Sequence, residues 1–194
     1  MFRSLRIKVQ LGIGFAVVVG LFAFTLLVVG LLLSRLTQSV RQITEESLPF
    51  VLVVDEMDLS RSEVQQFLTD VSATHDRAGY KEADDSARRF HSGVDKFRQL
   101  YRLENDQSSL QQLDALEVDF NKFYTSGKVM AEAYIDKGLD AGNLLMKGSD
   151  AAPGFDKNSE TLFKGMEKFR KQQVTEANQI SEAALDSANF ICSA

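Results

Sequence analysis

Tryptophan is absent from this chain, cysteine occurs once, and there are only two prolines and two histidines. Each scarcity removes a class of protein. A lone cysteine, Cys192, cannot close an internal disulfide, so an oxidising compartment is permitted and not demanded. His75 and His91 share no ligand spacing with each other or with Cys192, and no resident metal is expected. Few prolines and no glycine-rich or repeated tract leave little room for linkers or low complexity. No alternation of period two persists along the chain, which argues against sheet. A glycine-rich phosphate loop, a zinc helix and a nucleophile-histidine arrangement are all missing, so neither an enzyme nor a cofactor is expected.

Charge is missing from one place only. The stretch LGIGFAVVVGLFAFTLLVVGLLL, Leu11 to Leu33, has no ionisable side chain and exceeds the roughly 20 apolar residues that a helix needs to cross a bilayer. It is too long for the apolar part of a cleaved leader, about 7 to 15 residues, and no small-x-small site follows it. Arg3, Arg6 and Lys8 precede it without any acid, which places residues 1–10 in the cytoplasm. Residues 34–194 then lie outside the cytoplasmic (inner) membrane, in the periplasm where there is an outer one. The 22 basic residues less the three before the span, against 27 acids, give that exported part a formal charge of −8. Such a surface is soluble and does not attract nucleic acid.

The exported part is patterned as helix. Phe50, Val54, Met57, Arg61, Val64, Leu68, Val71 and His75 recur at alternating steps of four and three. Ala83, Ala87, Phe90, Val94, Phe97 and Tyr101 repeat the spacing, as do Leu113, Leu116, Phe120, Phe123, Gly127, Met130 and Tyr134. A fourth stripe runs Phe155, Ser159, Leu162, Met166, Phe169, Gln173, Glu176 and Ile180. Narrow seams of this kind belong to helices that pack at shallow angles about a shared axis. Turn chemistry separates them at HDRAGY, LENDQS and MKGSDAAPGFD, with Asp106 to Ser109 and Asp156 placed to cap or complement helix starts. The expected fold is all-α: a transmembrane helix at 11–33, then an antiparallel up-down four-helix bundle over 34–190. Residues 191–194 are either a chain end or the start of a second span.

The first bundle helix is expected to be nearly continuous with the span, extending about 60 Å from Ser34 to His75 at 1.5 Å per residue, with Pro49 as a kink or break. The fourth returns the same distance and ends at SANFICSA, where the chain turns apolar.

Three patches carry a family resemblance: LRIKVQLGIGF (Leu5 to Phe15), GKVMAEAYIDKGLDAGNLLM (Gly127 to Met146) and FDKNSETL (Phe155 to Leu162). They resemble the membrane entry and the later sensing helices of bacterial methyl-accepting chemotaxis proteins. The resemblance implies a sensing bundle that pairs as a homodimer, binds a small molecule or a periplasmic binding protein, and signals through a small shift of its last helix. A second span, a HAMP linker and a methylated cytoplasmic coiled coil are not among these residues, so the expectation is a truncated receptor or a stand-alone anchored bundle. The alternatives are the input domain of a sensor kinase or cyclic-dinucleotide enzyme, and a ligand-free membrane interaction protein.

Four residues are candidates for ligand binding. Arg61 occupies a seam position where a guanidinium needs a carboxylate ligand, such as an organic or amino acid anion, or else pairs with an acid on a neighbouring helix or snorkels from the seam edge. Arg88, with Arg89 and Arg98, would join such an anion site or form a solvated face. Tyr134, placed near the level of Arg61 by counting along the helices, and Asn143 would line the same pocket; otherwise Tyr134 is a core aromatic and Asn143 closes a helix. His75 is a candidate pH sensor. Gln173 and Glu176 interrupt the last seam and are expected to set register.

Overall fold

The structure, a computed structural model, describes residues 7–42, 48–149 and 152–193. Six helices account for nearly all of them: α1 (Ile7–Gln42), α2 (Leu48–Thr74), α3 (Gly79–Leu103), α4 (Gln107–Lys137), α5 (Leu139–Lys147) and α6 (Phe155–Ser193). The only strands among the described residues are β1 (Gly148–Ser149) and β2 (Ala152–Pro153), an antiparallel pair with Gly148 opposite Pro153. The protein is all-α, as the periodicity predicts.

Two compact units divide the chain. One comprises Leu48–Glu176; the other takes the described residues of Met1–Ser47 and of Ala177–Ala194. Within the second, Leu11–Ser34 of α1 forms a segment of 24 residues that is long and apolar enough to cross a membrane, with none of it buried. Its two hydroxyls are satisfied internally, because Thr25 Oγ1 donates to the Leu21 carbonyl and Ser34 Oγ to the Leu31 carbonyl, each at 2.9 Å. The expected continuity of the first bundle helix with this span falls partly on residues 43–47, outside the described residues; Pro49 sits in the first turn of α2, where a missing N–H costs nothing. The side chain of Cys192 also lies outside the described residues.

The Leu48–Glu176 unit is built on the four seams. Val54, Met57, Val64, Leu68 and Val71 of α2 are buried, as are all six seam residues of α3, Leu113 to Met130 of α4, and Phe155, Leu162, Met166 and Phe169 of α6. Phenylalanines fill the middle: Phe90 stacks on Phe120 at 3.8 Å between centroids, Phe97 meets Phe50 and Phe169 at 5.0 and 4.9 Å, and Phe123 stacks on Phe155 at 5.1 Å. Each ring buries large apolar area, and the edge-on pair Phe97–Phe169 adds quadrupole attraction.

Helix boundaries follow local chemistry. After α2, His75 adopts φ 60° while its N–H still bonds the Val71 carbonyl at 2.9 Å, and the Asp76 carboxylate accepts from the Ala78 N–H at 2.9 Å to form the turn. Asp106 caps α4 by accepting from the N–H groups of Ser108 and Ser109, both at 3.0 Å. A hydrogen bond from the Ser109 hydroxyl, then these backbone bonds, hold the Asp106 carboxyl below its usual range. One boundary departs from the sequence reading. The third helix does not run through to Met146: Gly138, at φ 85°, ends α4, and the chain restarts as α5. Only glycine takes that backbone conformation without strain.

Candidate functional site

The break at Gly138 creates the most distinctive feature of the Leu48–Glu176 unit. Between the last two turns of α2 and the α4–α5 junction lies a cavity of about 430 Å³, lined by Thr69, Ser72, Ala73, His75, Tyr134, Gly138, Leu139 and Met146. α5 lies against the last turns of α4 because Gly142 has no side chain: a Cβ there would sit 2.2 Å from Tyr134 Cγ. The Tyr134 hydroxyl then donates to Asn143 Oδ1 at 2.7 Å and lies 3.8 Å from the Met146 sulfur. The two α2 hydroxyls are also committed, with Thr69 Oγ1 donating to the Gln65 carbonyl and Ser72 Oγ to the Leu68 carbonyl, each at 2.7 Å.

Of the four candidates, the structure brings Tyr134 and Asn143 together and leaves Arg61 and Arg88 elsewhere. Arg61 is buried, its side chain 9% exposed; Nε donates to Asp58 Oδ1 at 2.8 Å, a second nitrogen donates to Ser62 Oγ at 3.0 Å, and the guanidinium lies over the Phe163 ring at 5.3 Å. This ion pair lies within α2, so it is not a pair with an acid on a neighbouring helix. Tyr134 is not level with Arg61. Gly127 faces Leu68, and Tyr134, two turns later on α4, meets the stretch Thr69–His75, so Arg61 falls roughly 10 Å short of the cavity at 1.5 Å per residue. Arg88 is exposed and pairs with Asp85 one turn back. Arg89 pairs with Glu63 of α2, and Arg98 reaches Asp95, Asp114 and Glu117. The cationic groups named for an anion site are thus held by the chain's own carboxylates.

His75 lines the cavity, and is exposed instead of buried in the seam. His91 Nδ1 lies 3.1 Å from Glu117 Oε1. Among the described residues no three His, Cys, Asp or Glu side chains are grouped to hold a metal. Gln173 is buried and links α6 to α3, its amide donating to Tyr101 Oη at 2.9 Å and to Glu176 Oε2 at 3.0 Å. Burial, followed by the nearby Glu176 carboxylate, raises the Tyr101 pKa.

A second hollow of about 330 Å³, also beside α4 and α5, is lined in part by Lys128, Glu132 and Asp136. Most of its charges are paired: Arg77 donates to Glu132 and Asp136, both at 2.9 Å, and Lys128 lies 3.4 Å from Asp84 and over the rings of Tyr80 and Tyr124, while Lys137 also lines it. The Tyr80 hydroxyl is buried without a hydrogen bond of standard geometry; burial, then the adjacent Glu132, raises its pKa.

Thr69, Ser72 and Met146 were not singled out by the sequence. The α2 hydroxyls fall beside the seam on ordinary helix positions, and nothing in their spacing separates them from other exposed or half-buried polar groups. The pair Gly138 and Gly142 in KGLDAGN did carry a signal, since two glycines four apart interrupt an otherwise strong helical pattern. No protein-family model, no curated protein and no solved structure matches this chain.

Proposed function

We propose that this protein is a membrane-anchored sensor of the chemotaxis-receptor type: α1 is the anchor, the N-terminus is cytoplasmic, and the Leu48–Glu176 unit faces the periplasm as an up-down four-helix bundle that receives a small molecule. The observation that carries this reading is the cavity of about 430 Å³ at one end of an otherwise phenylalanine-filled core. The space is an open cleft, walled by exposed Thr69, Ala73, His75 and Leu139 and half-buried Tyr134 and Met146, and a concave, mostly apolar wall with a few convergent polar groups is the form that small-molecule sites take.

Contact order supports the topology. Along α2 and α3, Val71 meets Gly79 while Met57 meets Gly93; along α4 and α6, Gly127 meets Phe155 while Leu116 meets Gly165. Along α2 and α6, Gln65 bonds Ser159 while Asp55 pairs with Arg170. In each pair one helix ascends as the other descends, whereas Phe97 with Phe169 and Tyr101 with Gln173 ascend together, as diagonal neighbours in an up-down bundle do. Outward-facing apolar residues on α2 and α6, among them Leu52, Leu59 and Phe163, support pairing of two copies. The role is reception and not catalysis.

A thermal-shift screen of the full chain in detergent micelles, against amino acids, organic acids and amines, tests the reading. A ligand that binds only the folded state raises the melting temperature in proportion to RT ln(1 + [L]/Kd). One class of compound should shift it; a flat response to every class would leave a bundle without a ligand.

A further inference from the structure

We infer that the α2–α4–α5 cavity takes a small organic ammonium compound, an amine carried on an apolar or aromatic body. The inference rests on the sensor reading above and deepens it by naming the ligand class. It starts from the direction of three hydrogen bonds. Thr69 and Ser72 direct their hydroxyl protons to the Gln65 and Leu68 carbonyls, and Tyr134 directs its own to Asn143 Oδ1, all at 2.7 Å. A hydroxyl whose proton is committed presents only lone pairs to a further partner. Three of the polar groups lining the cavity are therefore acceptors, and the His75 imidazole in its neutral form adds a fourth lone pair.

A carboxylate or phosphate has no proton to give such groups, and among the described residues no Arg or Lys lines the space to neutralise it. An ammonium has three N–H donors and no acceptor, which is the complementary set. Ala73, Leu139 and Met146 supply the apolar remainder of the wall, and the Met146 sulfur is suited to the edge of an aromatic ring. The formal charge of −8 outside the span raises the local concentration of cations over anions. The expectation of an anionic ligand depended on Arg61 and Arg88, which pair with Asp58 and Asp85 away from the cavity.

Isothermal titration of the full chain in neutral detergent micelles with tryptamine, tryptophol and indole-3-acetate separates the classes, since the three share one indole body and differ in the terminal group. Tryptamine should bind saturably, tryptophol more weakly, and indole-3-acetate not at all. Thr69→Val keeps the shape of an exposed side chain and removes its lone pairs, and should weaken tryptamine about ten- to a hundredfold, the loss of one hydrogen bond to a charged group. Ala73→Phe, also at an exposed position, should fill the space and abolish binding in the same micelles without lowering the melting temperature.

Indole-3-acetate binding as tightly as tryptamine, and lost in Ala73→Phe, would overturn the ammonium class while leaving a sensing cavity. Tryptamine binding untouched by both variants would overturn the site. If none of the three binds, an amine hit from the thermal-shift screen still supports the class and a hit confined to organic acids overturns it; if nothing binds, the sensor reading falls with it.

Discussion

The seam of α4 has two fates along its length. From Leu113 to Met130 every seam residue is buried among phenylalanines of α3 and α6, yet the next member, Tyr134, is half-buried and walls a cavity. The spacing is the same in both regions; what changes is the neighbour. In the middle, long helices on either side supply large rings, while beyond Met130 the partner is α5, a helix of nine residues that meets Tyr134 with a glycine. Periodicity tells which face a residue takes, and the bulk of whatever opposes that face decides whether the result is core or cavity.

The widest gap between the two regions should appear on truncating an aromatic ring. Phe120→Ala removes a fully buried ring that stacks on Phe90 and contacts Phe123, and should destabilise the protein by about 3–5 kcal/mol. Urea denaturation followed by circular dichroism measures the loss. A cost below about 1 kcal/mol would mean that the middle is as loosely filled as the Tyr134 end, and the contrast would vanish.

Gly142→Ala probes the other region from the opposite direction. Its new methyl would overlap the Tyr134 ring, so either α5 lifts or the ring rotates, at about 1–3 kcal/mol for overpacking. Because there is no tryptophan, fluorescence from the four tyrosines reports a changed Tyr134 environment directly. Unaltered fluorescence and stability would show that α5 is not seated on Tyr134. A milder change, Tyr134→Phe, deletes one hydrogen bond to Asn143 at an exposed edge and should cost about 0.5–1.5 kcal/mol, less than a third of the Phe120 loss at the central values.

How far the sequence reached can be judged from these same residues. The four seams were legible because burial on a helix repeats with its pitch, so Phe90, Phe97, Phe120 and Phe169 could be placed inside without knowing what they touch. The turn at Asp106 was legible because capping is local. Axial register was not: spacing fixes the face of a residue and says nothing of its height against another helix, so Arg61 and Tyr134 were set level although Leu68, one heptad after Arg61, is the residue facing Gly127. Nor did the spacing reveal that Arg61 satisfies itself with Asp58 three residues earlier on its own helix. The cavity needed both register and the break at Gly138, and of the residues singled out in the sequence Tyr134, Asn143 and His75 lie at it.

The smallest expected effect concerns surface charge, and it checks that packing and not ion pairing separates the two regions. Lys157 and Lys164 flank Glu160 on α6 and, through hydrogen bonds first and Coulomb attraction second, hold its carboxyl down to about 2. A carboxyl depressed on folding stabilises the native state fully above its unfolded value, near 4.3, and loses that contribution as pH falls through the folded one. Glu160 is exposed, so solvent screens the pair and the amount is small. Glu160→Gln should therefore melt slightly below the natural protein at neutral pH, and the two melting temperatures should converge as pH falls from about 4 through about 2. A difference that persists at about pH 1, below the folded value, would assign the effect to helix propensity or packing at position 160, since there the glutamate is protonated and nearly as uncharged as the glutamine that replaces it.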